Sequence, residues 1–413
     1  MNRLLKIFVL VTFVSLLLCQ TKAHSADLAL NELIKEALAN NPGLNSTRAF
    51  ARAKKAAIAN RSAYDDPVLK IERGDIPFSN IKESMFMRYT ISQNIPFPGK
   101  LDLEEQIAEK GAIGATEELR AKELELIEAV SNAYYEYSFA KSAIDETEGI
   151  KSAIEHMARI AKTRYGIGAI SQQEVIKAQT EALMIASDLI ALNANLLTAS
   201  ARLKSLLGRD QSVALDAPAP IPSETYAIKT DELVSEAIGN SPEVLMYRAR
   251  SEAGTLEGKL ANKSYYPDMM VGVAPTQRNG RFDSYDVMLQ FKIPLSPWKY
   301  SSITNEAASM EAVARNRLYA IRLDKARELK ELAGQSIALA SQIELYKTGI
   351  LPQARFSFDS ALKNYGSGKG DFLNLLDAER DLKKVKIAYL MTLLEYRKKI
   401  AALERASGGA IRE

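Results

Sequence analysis

Two hydrophobic periodicities divide this chain into helices and strands. Val175, Ala178, Ala182, Ile185, Leu189, Leu192, Leu196, Ala199, Leu203 and Leu206 are all apolar, and their spacings alternate between three and four. That alternation is the signature of helices that pack knobs into holes. Ser171 suits the N-cap of this helix, Glu174 completes a capping box, and Gly208 suits its stop. The same seam returns at Leu375, Ala378, Leu382, Val385, Tyr389, Thr392, Tyr396, Lys399, Leu403 and Ala406, where only Thr392 and Lys399 depart from it. Upstream of the first seam, Leu101 to Arg164 is rich in Glu, Ala, Leu and Lys and lacks proline. As one helix it would reach roughly 95 Å. The second copy places long helices from Ser301 to Asn364 and from Asp371 to Arg405, with Gly349 and Pro352 expected to interrupt the first.

A period of two marks the strands. Val287, Leu289, Phe291 and Ile293 alternate with Asp286, Met288, Gln290 and Lys292. Met85, Met87, Tyr89, Ile91 and Ile95 contrast with Arg88, Thr90, Ser92 and Asn94. Each such strand puts one face in an apolar medium and the other in water, which fits a half-buried sheet or a membrane barrel with a wet lumen. Four strands are expected, near 68–73, 85–95, 269–274 and 285–293, with Pro77 and Asn80 in the first connecting loop and Asn279-Gly280 in the second. Pro96, Pro98 and Gly99, and later Pro294 and Pro297, end strands and redirect the chain into helices.

These elements occur twice. Glu32-Leu-Ile-Lys-Glu-Ala-Leu-Ala-Asn-Asn-Pro42 returns 200 residues later as Glu232-Leu-Val-Ser-Glu-Ala-Ile-Gly-Asn-Ser-Pro242. Arg164-Tyr-Gly-Ile-Gly168 returns as Asn364-Tyr-Gly-Ser-Gly368, and the Pro96 and Pro294 region slips to an offset of 198. The organisation expected is a leader over 1–25, a first repeat over 26–216 with a helical hairpin at 101–207, and a Pro-rich linker at 217–226. A second repeat then fills 227–413, with a hairpin at 301–405. The fold class is mainly α with a small β part. The period is far too long for a solenoid.

The leader reading rests on Arg3 and Lys6, the apolar run Ile7 to Leu18, and Ala23-His24-Ser25. A run of that length is too short to span a bilayer, and Cys19 follows Leu18 where a lipid-modified cysteine follows a small residue. Arg3, Lys6 and Lys22 account for the whole net charge of +3, so the exported chain is balanced and has no footprint for nucleic acid. It keeps no cysteine and one histidine, His156, read as lying on a solvated helix face, so thiol, zinc and Ser-His-Asp chemistry each lack parts or have one candidate only. No enzyme and no cofactor are expected. No later uninterrupted apolar run reaches 18 residues, so no transmembrane helix is expected either.

With the paired turns Arg164-Tyr-Gly-Ile-Gly-Ala-Ile-Ser-Gln-Gln-Glu-Val-Ile-Lys-Ala-Gln179 and Asn364-Tyr-Gly-Ser-Gly-Lys-Gly-Asp-Phe-Leu-Asn-Leu-Leu-Asp-Ala-Glu379, and the duplicated helix–hairpin–helix plan, the chain resembles the TolC-like outer-membrane efflux family. The run Pro-Phe-Pro-Gly-Lys at 96–100 is similar to its heavy-metal-efflux, CzcC-like branch. The resemblance implies a homotrimer in the outer membrane, each chain giving four strands to a shared 12-stranded barrel. Long helices would form a periplasmic tunnel closed at the glycine turns. It implies a periplasmic adaptor and an inner-membrane pump of the RND type as partners, and export of small molecules or metal ions.

The family's gate carries over by position. Asp377 matches the second of two acidic rings, and Asn374 stands where the first acid would be. Tyr365 matches a tip tyrosine that bonds a carboxylate of the first turn, here Glu174, with Lys177 one turn further on. The basic partner expected at 370 is replaced by Gly370, with Lys369 beside it. Gly166, Gly168, Gly366 and Gly368 are read as serving turn geometry. For Glu174 capping competes with the gate role, and for Asp377 a solvated helix face does.

Three rival readings remain. A soluble periplasmic coiled-coil adaptor or scaffold would carry one helical hairpin, whereas this chain has two. An envelope hydrolase would need paired carboxylates in one cleft, and none stands out. Met85, Met87, Met269, Met270 and Met288 could hold Cu(I) through thioethers, but all fall in expected strands, where methionine is a plain apolar residue.

Overall fold

The computed structural model describes residues 30–74 and 86–409. The leader, Cys19, Met85, and Pro77 and Asn80 of the first loop lie outside these residues. The described chain runs α1 (30–40), α2 (Pro42–Ser62), β1 (Val68–Gly74), β2 (Phe86–Ile95), α3 (Lys100–Gly166), α4 (Gln172–Leu207), α5 (Thr230–Asn240), α6 (Pro242–Asn262), β3 (Asp268–Arg278), β4 (Arg281–Lys292), α7 (Pro297–Leu345), α8 (Leu351–Gly366) and α9 (Phe372–Ala406). It is mainly helical with one small antiparallel sheet. The chain divides into two compact units. One holds the sheet, and the other holds both glycine turns.

In the sheet unit the strands pair antiparallel in the order β1-β2-β3-β4, so the β2–β3 ladder joins the two repeats. β3 and β4 extend beyond the expected 269–274 and 285–293 because their turn has only two residues. Asn279 and Gly280 take φ of 50° and 79°, which is the hairpin geometry that suits twisted strands. A bulge at Thr276/Gln277 sets Phe282 opposite Gln277, and so moves Phe282 onto the face of Tyr285, Val287, Leu289 and Phe291. Register places Leu69, Ile71, Met87, Tyr89, Ile91, Met269, Val271 and Val273 on that same face. It is exposed, with Tyr285 at 75% and Val287 at 74%. The opposite face carries Arg88, Thr90, Ser92, Thr276, Asp286 and Gln290. There Thr90 and Thr276 are buried, and Arg88 reaches Asp286 at 3.5 Å.

The two strand-to-helix turns differ. At the first, Gly99 takes φ +80° and the Phe97 N–H donates to Asp268 at 2.8 Å. Lys100 donates to the same carboxylate at 2.7 Å, Lys263 donates to the Pro98 carbonyl at 3.0 Å, and the Phe97 ring stacks on Tyr266 at 4.5 Å. At the second, past Pro294, Leu295 is 81% exposed, and beyond Pro297 Trp298 is 74% exposed.

In the tip unit the seams become the packed sides of α4 and α9. Val175, Ala178, Ile185, Ala199 and Leu203 are buried, and so are Leu375, Ala378, Leu382, Tyr396, Leu403 and Ala406. α9 is also the anchor for the linker: Arg397 donates to the carbonyls of Pro222 and Glu224, and the Tyr226 N–H donates to Tyr396 Oη at 2.7 Å. Arg405 bridges Glu128 at 2.5 Å and Glu328 at 2.6 Å, and Lys325 donates to Glu328 at 2.8 Å. Burial alone would raise the Glu328 carboxyl; the bond from Lys325 and the two positive charges outweigh it and leave it below the ordinary range.

The expected interruption at Gly349 and Pro352 takes the form of a widened π-helical turn, Tyr346–Ile350, and the helix continues through it. Pro352 has no N–H for the carbonyl four residues back, and a wider turn absorbs that loss without breaking the helix. α4 is long and apolar enough to cross a membrane by length and composition alone, although no uninterrupted apolar run in it reaches 18 residues. Asp188, Asn193 and Asn195 interrupt its apolar runs without making it polar on average. The excess lies on the side away from the seam. Ile176, Leu183, Ile190 and Leu197, one every seven residues, are 53%, 72%, 74% and 71% exposed.

Candidate functional site

Both glycine turns are built alike. Gly168 and Gly368 take φ of +71° and +79°, and each donates its N–H to the tyrosine carbonyl three residues back, at 2.9 and 3.1 Å. The next residues, Ala169 and Lys369, donate to the carbonyls of Arg164 and Asn364. This left-handed cap is what ends each helix. Gly166 and Gly366 are different. They are the last helical residues of α3 and α8, neither has positive φ, and nothing lies within 4 Å of an added Cβ. Turn geometry therefore does not require them, contrary to the sequence reading. Gly370 is the tight position instead. A Cβ there would lie 3.1 Å from Asn364 and the Tyr365 nitrogen, which explains why no basic side chain stands at 370.

Tyr365 is 1% exposed, and its hydroxyl makes no hydrogen bond. Burial first, and the charge of Glu174 second, push its phenol up. Glu174 does not bond the tyrosine; it accepts from the Ser171 N–H at 3.5 Å and caps α4. The basic group of this cluster comes from the first turn. Arg164 donates to the Gly366 carbonyl at 3.1 Å and lies 5.0 Å over the Tyr365 ring, which in turn packs against Phe372 at 5.5 Å. The Arg164-for-Asn364 difference between the repeats was the signal for this contact, and the sequence reading did not use it.

Asn374 and Asp377 share an exposed side of α9, one turn apart. Lys177 is half-buried on α4, and Lys369 is exposed at the turn. Asn374 and Lys369 line a groove of about 900 Å³ between α8 and α9, together with Phe356, Ser360 and Asn364. Asp377 does not line it.

Sequence reasoning missed a charged cluster two residues past Asp377. Glu181 of α4 is 5% exposed and pairs with Arg380 of α9 at 2.5 Å, and Lys383 pairs with Asp188 at 2.5 Å. Between these pairs Glu379 is 1% exposed, and neither of its carboxylate oxygens has a partner. Its first-repeat counterpart is the neutral Gln179, and that change of charge was visible in the chain. Among the described residues no group of three or more His, Cys, Asp or Glu side chains could hold a metal ion. Of the methionines read as a copper candidate, Met87 lies in β2, Met269 and Met270 in β3 and Met288 in β4, and Met85 lies outside the described residues.

Comparison with known proteins agrees with this architecture. The cobalt-zinc-cadmium resistance protein CzcC of Cupriavidus metallidurans is 23% identical over 307 residues, covering 73% of this chain and 71% of that protein. A membrane protein from Pseudomonas aeruginosa has the same fold, with a TM-score of 0.80 at 19% identity over 92% of this chain and 90% of that one. CusC, described for conformational changes accompanying folding and transmembrane channel formation, gives 0.79 at 17% identity, over 92% of both chains. The model of the outer membrane efflux protein family matches twice, at 33–209 and 233–409, the two matches lying 200 residues apart. The chain belongs to the outer membrane efflux protein family.

Proposed function

We propose that the chain is the outer-membrane channel of a tripartite efflux system, assembled as a homotrimer. Its four strands would close a shared 12-stranded barrel, and its long helices would continue as a periplasmic tunnel. The observation that carries this reading is the sheet. It is apolar and exposed across all four strands on one face and largely polar on the other, and among the described residues β1 and β4 leave their outer edges unpaired. Water does not tolerate that face and lipid does not tolerate those edges, so β4 of one chain pairs with β1 of the next. The exposed heptad stripe on α4 supports a helical seam between the same neighbours. A periplasmic adaptor and an RND-type inner-membrane pump complete the route. Metal ions or other small molecules would be the cargo, since the relatives include both a cobalt-zinc-cadmium resistance protein and a toxin and drug export protein.

Asp377 and Asn374 would then face the tunnel entrance, with Tyr365, Glu174, Lys177 and Lys369 around them. Asp377→Ala should lower cation preference in planar-bilayer conductance; unchanged selectivity would remove Asp377 from the entrance.

The repeat also sets the register of the barrel seam. Ile95 pairs with Met269 and Gln93 with Val271. Carrying these pairs through the two offsets brings Ile293 opposite Leu69, and Phe291 opposite Ile71, of the next chain. A Phe291→Cys/Ile71→Cys double variant, in a protein whose only native cysteine is Cys19, should oxidise to a covalent trimer in detergent. Light scattering of the unmodified protein should show a trimer extracted from outer membranes. A monomer that needs no detergent would overturn the channel and leave a soluble coiled-coil scaffold.

A further inference from the structure

Buried carboxylates normally find a partner, because an unpaired charge in a dry site costs far more than one hydrogen bond. Glu379 has none: it is 1% exposed, and neither carboxylate oxygen is bonded. It sits beside cations that could have paired with it. Arg380 is committed across the helices to Glu181, and Lys383 to Asp188. The tip unit also holds an apolar core: Ile154 and Met157 come from α3, Ala178 and Ile185 from α4, Tyr365 from α8, and Phe372, Leu375 and Leu376 from α9. The charges that act on Glu379 are Glu181 from α4 and Arg380 and Lys383 from α9. With only two carboxylates, one of them held by an arginine, the site is too poor in ligands for a divalent cation. What satisfies Glu379 in this packing is a proton.

We propose that Glu379 is a proton-binding site that couples the packing of α4 against α9 at the helical tips to periplasmic pH. The proton keeps Glu379 neutral and the tips closed. Its loss leaves a bare charge beside Glu181, which is relieved only when the two helices part and water enters. The link to channel opening rests on the channel reading above; the proton site itself does not.

The sign follows from the site. Burial first, and the Glu181 charge second, push the Glu379 carboxyl from 4.5 up to about 7, against Lys383 and Arg380. The closed packing therefore holds the proton more tightly than a hydrated, parted tip would. Below 4.5 both forms are protonated and pH has no effect. Between 4.5 and about 7 the closed form loses ground by at most about tenfold per pH unit for each chain. Above about 7 the bias is complete.

Hydrogen exchange of the full-length protein in detergent, corrected for intrinsic rates, tests the site directly. Segments 172–185 and 372–386 should exchange up to about tenfold faster at pH 8 than at pH 6. Glu379→Gln, which installs the amide that the first repeat carries at Gln179, should keep them protected at both values. Glu181→Gln should move the transition to lower pH, since it removes a like charge and frees Arg380. Protection that is independent of pH in the unmodified protein, or a pH response that survives in Glu379→Gln, overturns the proposal. Planar-bilayer conductance across the same range separates the two readings. Channels that conduct without pH dependence, while exchange shifts as expected, break the coupling to opening. Exchange that shifts in a protein forming no channel leaves the proton site standing and sinks the channel.

Discussion

The two repeats share a plan but are packed differently, and the helices that follow the glycine turns show it best. α9 is buried on more than its seam: Leu376, Glu379, Leu393, Leu394, Arg397, Ile400 and Ala401 are buried as well as Leu375, Ala378 and Leu382. α4 buries little beyond its seam, only Glu181 and Leu207, and presents Ile176, Leu183, Ile190 and Leu197 outward. The strand-to-helix turns show the same asymmetry. The turn at Pro96–Gly99 is clasped by Asp268, Lys263 and Tyr266 of the second repeat, while Leu295 and Trp298 at the later turn stand open. One copy of a unit cannot cover both of its own sides. The second repeat supplies neighbours to the first within the chain, and in the proposed trimer the surfaces left bare are those that the next chain would cover. On that reading duplication divides the labour: α9 is an interior helix and α4 would be an interface helix, although both carry the same seam.

The sharpest way to break this comparison is a charge on the outward stripe of α4. Ile190→Glu removes an apolar contact worth about 1.5–3 kcal/mol on burial and adds the cost of desolvating a carboxylate at each seam. The trimer should be lost in detergent sizing, while circular dichroism of the chain stays unchanged. Leu376→Glu, at the position on α9 equivalent to Ile176 of the stripe and buried, should disturb the fold of the chain itself. Loss of helix content in Ile190→Glu would mean that the stripe packs inside the chain, and the asymmetry would fail.

Phe372 sharpens the comparison at the tips. It is fully buried against Tyr365, whereas its first-repeat counterpart Gln172 is exposed. Phe372→Ala should cost about 3–5 kcal/mol of tip stability through the cavity it leaves. Gln172→Ala should stay within about 0.5 kcal/mol. Local opening measured by hydrogen exchange at the tips separates the two. Equal effects would show that the turns are interchangeable.

Periodicity made the helices and strands legible, because seams and alternation are local consequences of burial. The repeat, the capping box at Ser171 and the two-residue turn at Asn279-Gly280 were legible for the same reason. What escaped was set by contacts across the repeats. Nothing local marks Arg164 as the cation over Tyr365, or Asp268 as the clasp of Phe97. Glu174 could be read as cap or lock, and only the fold gives it to the cap. Glu379 was marked only by its departure from the neutral Gln179 of the first repeat. A glutamate one step past a seam alanine looks solvated until α4 closes over it. The π-helical turn before Pro352 was half visible: proline foretold a disturbance, but not that the helix would widen rather than break.

The smallest effect is expected at the turn glycines, where the comparison runs within each turn rather than between repeats. Gly168 holds φ +71° and Gly166 does not, yet a Cβ at either would meet nothing within 4 Å. Space is therefore equal and only backbone conformation differs. Gly168→Ala should cost about 1–2 kcal/mol, the penalty of a left-handed backbone for an L-residue. Gly166→Ala should be neutral, or stabilise by up to about 1 kcal/mol, because it lies at the end of a helix and restricts the unfolded chain. Urea midpoints of tip opening would measure both. If Gly166→Ala proves as costly as Gly168→Ala, the backbone argument fails for Gly166. Its missing side chain then serves close approach by another chain, and the tip joins the stripe on α4 as a surface shaped for a neighbour.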